Sequence, residues 1–94
     1  MKIYISGQMT GLPDLNREAF NEAADQLRRE GHEVFNPAGA NLERLSRREI
    51  LKYEANWLFD EAEAIAMLPG WSMSEGASME YSIARAIGIK VIRL

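Results

Sequence analysis

Residues 72–94, SMSEGASMEYSIARAIGIKVIRL, decide how the rest of the chain is interpreted, because they predict a helix followed by a strand. In helical steps from Gly76, one stripe of this helix carries Glu80, Ile83, Ala84 and Ile87. Such spacing is typical of an amphipathic helix that packs on a sheet. Gly88 ends the helix, and the apolar run 89–94 predicts a strand. A carboxylate therefore shares a helix face whose other side chains are expected to be buried.

The remainder of the chain continues this alternation. Strands are predicted at 2–6, 32–35 and 64–68, and helices at 16–30 and 46–60. The second helix opens with the capping-box sequence SRRE, and Ser74 is a candidate N-cap of the third. The order βαβαβαβ predicts one domain, residues 1–94. We expect a three-layer α/β sandwich of the Rossmann or flavodoxin type, with a four-stranded parallel sheet in the order 2-1-3-4.

The topology also predicts where a ligand binds. In open parallel sheets, ligands bind beyond the carboxyl ends of the strands, at the point where the strand order reverses. That point lies between the first and third strands. The loops that leave them, GQMTGLPD at 7–14 and PGWSMSEGAS at 69–78, are the most glycine-rich stretches of the chain. Topology and composition therefore predict the same site.

Composition excludes several kinds of chemistry. The chain has no cysteine and one histidine, His32, so disulfides, thiolate nucleophiles, His- or Cys-ligated metals and Ser-His-Asp triads are not expected. We expect no cofactor. The net charge is −3 and the basic residues are interspersed with acids, so a nucleic-acid polymer is not an expected partner.

Length and hydropathy set two further expectations. No signal peptide or membrane span is visible, which predicts no membrane partner and a cytoplasmic protein. A chain of 94 residues buries only roughly 60–65% of its unfolded surface, so we expect a homodimer or a larger homo-oligomer.

Glu80 has two interpretations. It can lie at the end of the apolar stripe, where it reaches solvent or bonds to Tyr4 or Trp71. Alternatively, it points into the cleft at the strand ends, where partial burial raises the pKa of a nucleophile or general base. Tyr4, on the first strand, is either a half-buried aromatic residue or the hydrogen-bond donor that orients Glu80.

Other residues of the two loops are candidates for ligand binding, each with a structural alternative. Ser74 and Gly76 stand at a helix N-terminus, which binds anions or is simply capped by the serine. Gly7 and Gly11 allow close approach of a ligand, or a tight turn. Trp71 after Gly70 can stack on a planar ring, cover the core or contact another subunit. The apolar lining can include Met9 and Met73. A second acid can come from Glu54, Asp60, Glu61 or Glu63, and spacing does not choose among them.

Three segments together resemble a known family: MKIYISGQMTG, AIAMLPGW and SEGASMEYSIARAIG. They resemble small uncharacterised proteins, many of them phage- or prophage-encoded, that are related to nucleoside 2-deoxyribosyltransferase. The wider superfamily includes the 2'-deoxynucleoside 5'-phosphate N-hydrolases. The resemblance covers essentially the whole chain, and LPGW followed by S-x-G-A-x-x-E is its most specific part.

The resemblance implies a role for each matching residue. Glu80 matches the nucleophile, and Tyr4 matches the tyrosine that orients it. Ser74 and Gly76 match the positions that hold a 5'-phosphate in the hydrolases. The loop that surrounds base and sugar corresponds to Ser6, Gly7, Gln8, Met9 and Gly11. The implied reaction is attack by Glu80 on the anomeric carbon of a deoxyribose, followed by transfer to a second base or to water.

The resemblance departs from the family pattern on the second helix. The superfamily has an aspartate eight residues before an acid that opens the third strand. Here that acid is Glu63, which the resemblance makes a candidate catalytic residue, and the earlier position is Ala55. Glu54 is adjacent, but one residue along a helix turns a side chain by about 100°. In the superfamily that aspartate helps to protonate the base or to bind the sugar, so its absence favours a second function, a non-catalytic nucleotide-binding module. A structural interaction protein is a third alternative.

Overall fold

The computed structural model describes residues 1–94 and confirms the predicted sheet. Four parallel strands are ordered β2-β1-β3-β4. The elements are β1 (Lys2–Ser6), α1 (Arg17–Arg29), β2 (Glu33–Phe35), α2 (Arg47–Asp60), β3 (Ala64–Met67), α3 (Glu75–Ile87) and β4 (Lys90–Arg93). Short 3-10 helices at Pro13–Asn16, Pro37–Gly39 and Trp71–Met73 lie in the connections. The sheet forms the middle layer of a three-layer α/β sandwich.

The strands alternate between two cores because successive side chains of a strand point to opposite faces. Ile3 and Ile5 of β1 pack in the core that α1 covers. Tyr4 packs on the other face, with Leu58 of α2 and Ala84 of α3. Ser6 has the same parity as Tyr4. The last polar residue of β1 is therefore directed at the α2–α3 side of the sheet.

The pairing of the two central strands places their carboxyl ends side by side. In β1 and β3, Tyr4 is opposite Ile65 and Ser6 is opposite Met67. Gly7 follows immediately, and a Cβ atom at this position would lie 2.9 Å from the Cβ of Leu68. Real Cβ atoms essentially never approach so closely, so the absence of a side chain at Gly7 lets the segments after β1 and β3 run together.

Helix caps were the most accurate local predictions. The Ser46 hydroxyl accepts from the Glu49 N–H, and the Glu49 carboxylate accepts from the Ser46 N–H, which completes the capping box. These bonds hold the pKa of Glu49 below its ordinary value. Ser74 caps α3 by accepting from the Ala77 N–H. Gly88, with φ of 79°, ends α3 in the left-handed conformation.

The loop after β1, expected at 7–14, extends to Asn16 and includes a 3-10 turn at Pro13–Asn16. Asp14, Leu15 and Asn16 all have positive φ, so a left-handed turn leads into α1, which begins at Arg17 rather than Asn16. The Asn16 amide donates to the Gln8 carbonyl and ties the loop to its own start. None of the helices has the length and apolar character that crossing a membrane requires.

Candidate active site

A cleft of about 610 Å³ opens at the carboxyl ends of β1 and β3. The loop after β1, the inner face of α2 and the first turns of α3 form its walls. This volume lies within the roughly 300–1,000 Å³ of small-molecule sites. A wider groove of about 1120 Å³ runs beside α1 on the opposite face, but none of the predicted site residues lines it. The cleft is therefore the candidate site.

Glu80 is buried beside this cleft. Its side chain is turned toward β1, and the residue is only 8% exposed. The Tyr4 phenol donates to Oε2 at 2.6 Å, and the Ser6 hydroxyl donates to Oε1 at 2.6 Å. Each carboxylate oxygen thus accepts one short hydrogen bond from β1, which is the pattern that an ionised carboxylate satisfies. The apolar stripe of α3 contains a carboxylate because β1 supplies two donors for it.

Glu80 and Tyr4 affect each other's protonation. Burial raises the pKa of Glu80, and the hydrogen bonds from Ser6, Tyr4 and Glu54 act in the opposite direction. Burial, assisted by the nearby charge of Glu80, raises the pKa of the Tyr4 phenol well above its ordinary value. Tyr4 therefore keeps its proton at neutral pH and remains a donor to Glu80.

A second carboxyl, Glu54 of α2, lies against Glu80. Burial, then the charge of Glu80 and a hydrogen bond to it, raises the pKa of Glu54 to about 8, while Arg47 opposes the shift. Two neighbouring carboxylates disfavour double ionisation, so the pair holds one proton at neutral pH. With two hydroxyl donors on Glu80, that proton belongs on Glu54. The site can thus present one ionised and one protonated carboxyl side by side.

The sequence held a signal for Glu54 that the prediction did not use. Ile50, Glu54 and Leu58 follow one another at four-residue steps, so Glu54 interrupts an apolar stripe just as Glu80 does. Ile50 lines the cleft and Leu58 is fully buried. The resemblance indicates Ala55 instead, one position away on α2.

The charges around the cleft are mainly negative. Glu54, Glu75 and Glu80 line it, and Arg47 at the start of α2 is its one basic residue. Arg47 lies near enough to Glu54 to oppose the rise in its pKa. The cleft can therefore offer one guanidinium to an anionic group of a ligand, while its acids repel a polyanion.

Most of the predicted binding residues meet at the cleft. Ser6, Gly7, Gln8 and Met9 line it from the loop after β1, and Ser74 and Gly76 line it from the start of α3. Tyr4 lies beneath Glu80, fully buried, and reaches the site only through that carboxylate. Leu15 and Met73 add apolar lining, and Met73 is 78% exposed.

Three predicted binding residues lie elsewhere: Gly11, Gly70 and Trp71 are absent from the lining of the cleft. Gly11 is exposed at a turn with φ of 90°. The 3-10 turn that starts after Gly70 directs the Trp71 ring to the other side of α3, where it stacks on Tyr81 with 4.6 Å between ring centres. Trp71 thus covers the core, which was one of the alternatives for this residue, and lies outside the cleft.

Glu63, predicted as a catalytic acid, is separated from the cleft by the length of the sheet. It stands immediately before β3, at the amino end of the strand, whereas Glu80 lies at the carboxyl ends. The Glu63 carboxylate is exposed and accepts from the Lys2 N–H at 2.7 Å. We therefore replace Glu63 by Glu54 as the candidate second acid. No group of three or more His, Cys, Asp or Glu side chains is placed to hold a metal ion.

Comparison with known proteins assigns the chain to a family. Residues 1–93 match the model described as Domain of unknown function (DUF4406), and the chain belongs to this family. No curated protein matches the chain. The match spans every element that forms the cleft, so the site belongs to the family domain itself.

Proposed function

We propose that this member of the DUF4406 family cleaves or exchanges the N-glycosidic bond of deoxynucleosides or their 5'-monophosphates, with Glu80 as the nucleophile. The resemblance to the nucleoside 2-deoxyribosyltransferase superfamily motivates the substrate class. The observation that carries the proposal is the pair of carboxyls, with the buried Glu80 held by Tyr4 and Ser6 at 2.6 Å and the half-buried Glu54 beside it.

In the first step, a carboxylate oxygen of Glu80 attacks the anomeric carbon of the deoxyribose. The bond from this carbon to the base nitrogen breaks, and its electron pair remains on the base. Glu54 donates its proton to the departing base, so the base leaves neutral and Glu54 becomes a carboxylate. The product on the enzyme is a glycosyl ester of Glu80.

In the second step, the ester is resolved by an acceptor. Water, or an N–H of a second base, gives a proton to Glu54 as it attacks the anomeric carbon. The ester bond breaks, Glu80 regains its charge and Glu54 its proton, so both groups return to their starting state. Two displacements retain the configuration of the sugar, as in retaining glycosidases. Water as acceptor makes the protein a hydrolase, and a base makes it a transferase.

Tyr4 and Ser6 have a positioning role in this scheme. Their hydrogen bonds fix the Glu80 carboxylate in one orientation and favour its ionised form, which is the form that attacks. A pre-oriented nucleophile lowers the entropic part of the barrier. The two hydrogen bonds offset the free-energy cost of burying the Glu80 charge before substrate binds.

The cleft suits a single nucleoside or nucleotide. Its volume of about 610 Å³ is of the right order, and Met9, Leu15 and Met73 provide apolar surface for a base. The resemblance assigns Ser74 and Gly76 to a 5'-phosphate, and Arg47 adds a positive charge to the same cleft. A cleft with a single arginine disfavours a nucleic-acid polymer, whose affinity depends on many phosphate contacts.

The test is incubation with a panel of deoxynucleosides and deoxynucleoside 5'-monophosphates, with and without a second base, and chromatography for free base or new nucleoside. Glu80→Gln keeps the size of the residue but replaces one acceptor oxygen with an NH2 donor and removes the charge, so it is expected to abolish release. Mass spectrometry of the native protein is expected to find a deoxyribosyl adduct on Glu80. Absence of product from every substrate would reject an enzymatic function for this cleft.

A non-catalytic nucleotide-binding module is the second candidate. Ala55 at the superfamily's aspartate position favours it, as does the contact between Glu54 and Glu80, which a sugar would have to separate. This function predicts that a nucleotide raises the melting temperature while no product forms. The same incubation therefore distinguishes the two functions, because only the enzyme forms product.

A further inference from the structure

We propose that Arg85 and Arg93 form a binding site for a phosphate group, separate from the cleft. The two guanidinium groups meet at one oxygen atom: Arg85 Nη1 lies 2.9 Å and Arg93 Nη2 lies 3.5 Å from Tyr81 Oη. Both guanidinium carbons stand 5.8 Å from the centre of the Tyr81 ring. None of the three residues lines the cleft. We call Arg85 and Arg93 the arginine pair.

The arginine pair has no carboxylate partner. The ion pairs of the protein join Lys2 to Glu61 and Arg17 to Asp14 and Glu43, and none involves Arg85 or Arg93. Two like charges thus share a neutral phenol oxygen. Each guanidinium has five N–H donors, and the contact with Tyr81 uses few of them. The arrangement has an excess of donors and positive charge that an anion would satisfy.

The pair is held by rigid elements. Arg85 lies on α3 one turn after Tyr81, and Arg93 lies at the end of β4, where its pairing with Met67 of β3 fixes its position. Trp71 stacks on the Tyr81 ring and restricts its movement beside the two arginines. The two arginines lower the pKa of the Tyr81 phenol, which agrees with a positive potential at its oxygen.

The geometry favours a phosphate group over a polymer. Guanidinium groups bind phosphate through two parallel N–H···O bonds, and two arginines can engage different oxygens of one tetrahedral group. The pair is confined to one spot on a chain of net charge −3, whereas a nucleic-acid backbone requires a row of cations. A free phosphate ion and a phosphate monoester share the chemistry that this pair recognises.

The experiment is an NMR titration of the full chain, labelled with ¹⁵N, with inorganic phosphate at constant ionic strength. Saturable shifts of the arginine side-chain N–H resonances of Arg85 and Arg93 are expected, and chloride should not reproduce them. A parallel titration with glycerol phosphate distinguishes the sources, because a monoester site binds it more tightly than the free ion. Shifts that chloride reproduces, or that occur only at Arg47, Ser74 and Gly76 in the cleft, would overturn the proposal.

Three variants make the test specific. Replacing the pair in Arg85→Gln/Arg93→Gln should weaken phosphate binding by roughly tenfold or more, since charge-assisted hydrogen bonds are lost. Arg48→Gln, at an exposed arginine of α2, should leave the affinity unchanged. Tyr81→Phe removes the oxygen at which the two guanidinium groups meet, so it should weaken phosphate binding, but by less than the double variant. Equal affinity of the parent and the double variant would contradict the site.

Discussion

The Tyr4 phenol oxygen lies 2.6 Å from Oε2 of Glu80, although 76 residues separate the two in the chain. The parallel sheet makes this contact possible, because β1 is a central strand and α3 packs against it. Tyr4 is fully buried and Glu80 is 8% exposed, so water has little access to the contact between them. Loss of the donor should therefore affect both the charge and the position of the carboxylate.

Tyr4→Phe should lower the rate of base release by about 10- to 100-fold, which corresponds to a lost hydrogen bond to a charged group. This bond lowers the pKa of Glu80, so its removal should move the acidic limb of the rate profile to higher pH. The measurement is the rate of base release as a function of pH. Urea unfolding of the variant checks that it is folded. Tyr53→Phe on the exposed face of α2 is the control; an unshifted acidic limb in Tyr4→Phe would contradict the positioning role.

Glu54→Gln should reduce release of an ordinary base by about 10²- to 10⁴-fold, the usual contribution of a general acid. A deoxynucleoside whose base already carries a positive charge leaves without a proton, so its cleavage should be largely preserved. The ratio of the two rates is the measurement. Glu18→Gln, at an exposed acid of α1, serves as the matched control. An equal loss for both substrates would assign Glu54 a role other than proton donation.

The architecture was predictable because each element carried its own signal. Helical spacing, the SRRE box and Gly88 defined α2 and α3, and the apolar runs defined the strands. Glu80 could be singled out because its stripe was otherwise apolar. Trp71 could not be placed, since the direction of its ring depends on a three-residue 3-10 turn that no periodicity reveals. Residues distant in the chain, such as Ser6 and Glu80, could be paired only once the register of β1 was known.

Glu63→Gln should leave base release unchanged within about twofold, because its carboxylate lies at the amino end of β3 and not at the cleft. The effect expected is on stability, since the carboxylate accepts from the Lys2 N–H at 2.7 Å. Gln keeps an acceptor oxygen for this N–H and loses only the charge, so the expected loss is less than about 1 kcal/mol. Parallel assays of rate and urea unfolding check this, and a rate loss comparable to that of Glu54→Gln would return Glu63 to the catalytic site.

Gly7→Ala should destabilise the protein by about 1–3 kcal/mol, as overpacking does in tight interiors. The new methyl group would stand 2.9 Å from both Cβ and Cδ1 of Leu68, so a rotation of the leucine cannot relieve the contact. Because Gly7 also lines the cleft, the Michaelis constant should rise. Chemical unfolding measures the loss of stability. Gly39→Ala, where the nearest atom is 3.5 Å away, is the control and should be nearly neutral.

The carboxyl pair should make stability depend on pH in a direction opposite to that of an ordinary salt-bridged acid. The pKa of Glu54 is about 8 in the folded protein and near 4.5 when exposed. The folded state therefore binds the proton more tightly, and the stability that this provides is complete below pH 4.5 and is lost as the pH rises through 8. Glu54→Gln removes this dependence. It should be more stable than the parent at pH 8 by on the order of 2 kcal/mol, a value reduced for partial exposure. The difference should shrink toward pH 5. Urea unfolding of both proteins at the two pH values provides the measurement, and a difference that does not grow with pH would show that Glu54 titrates normally.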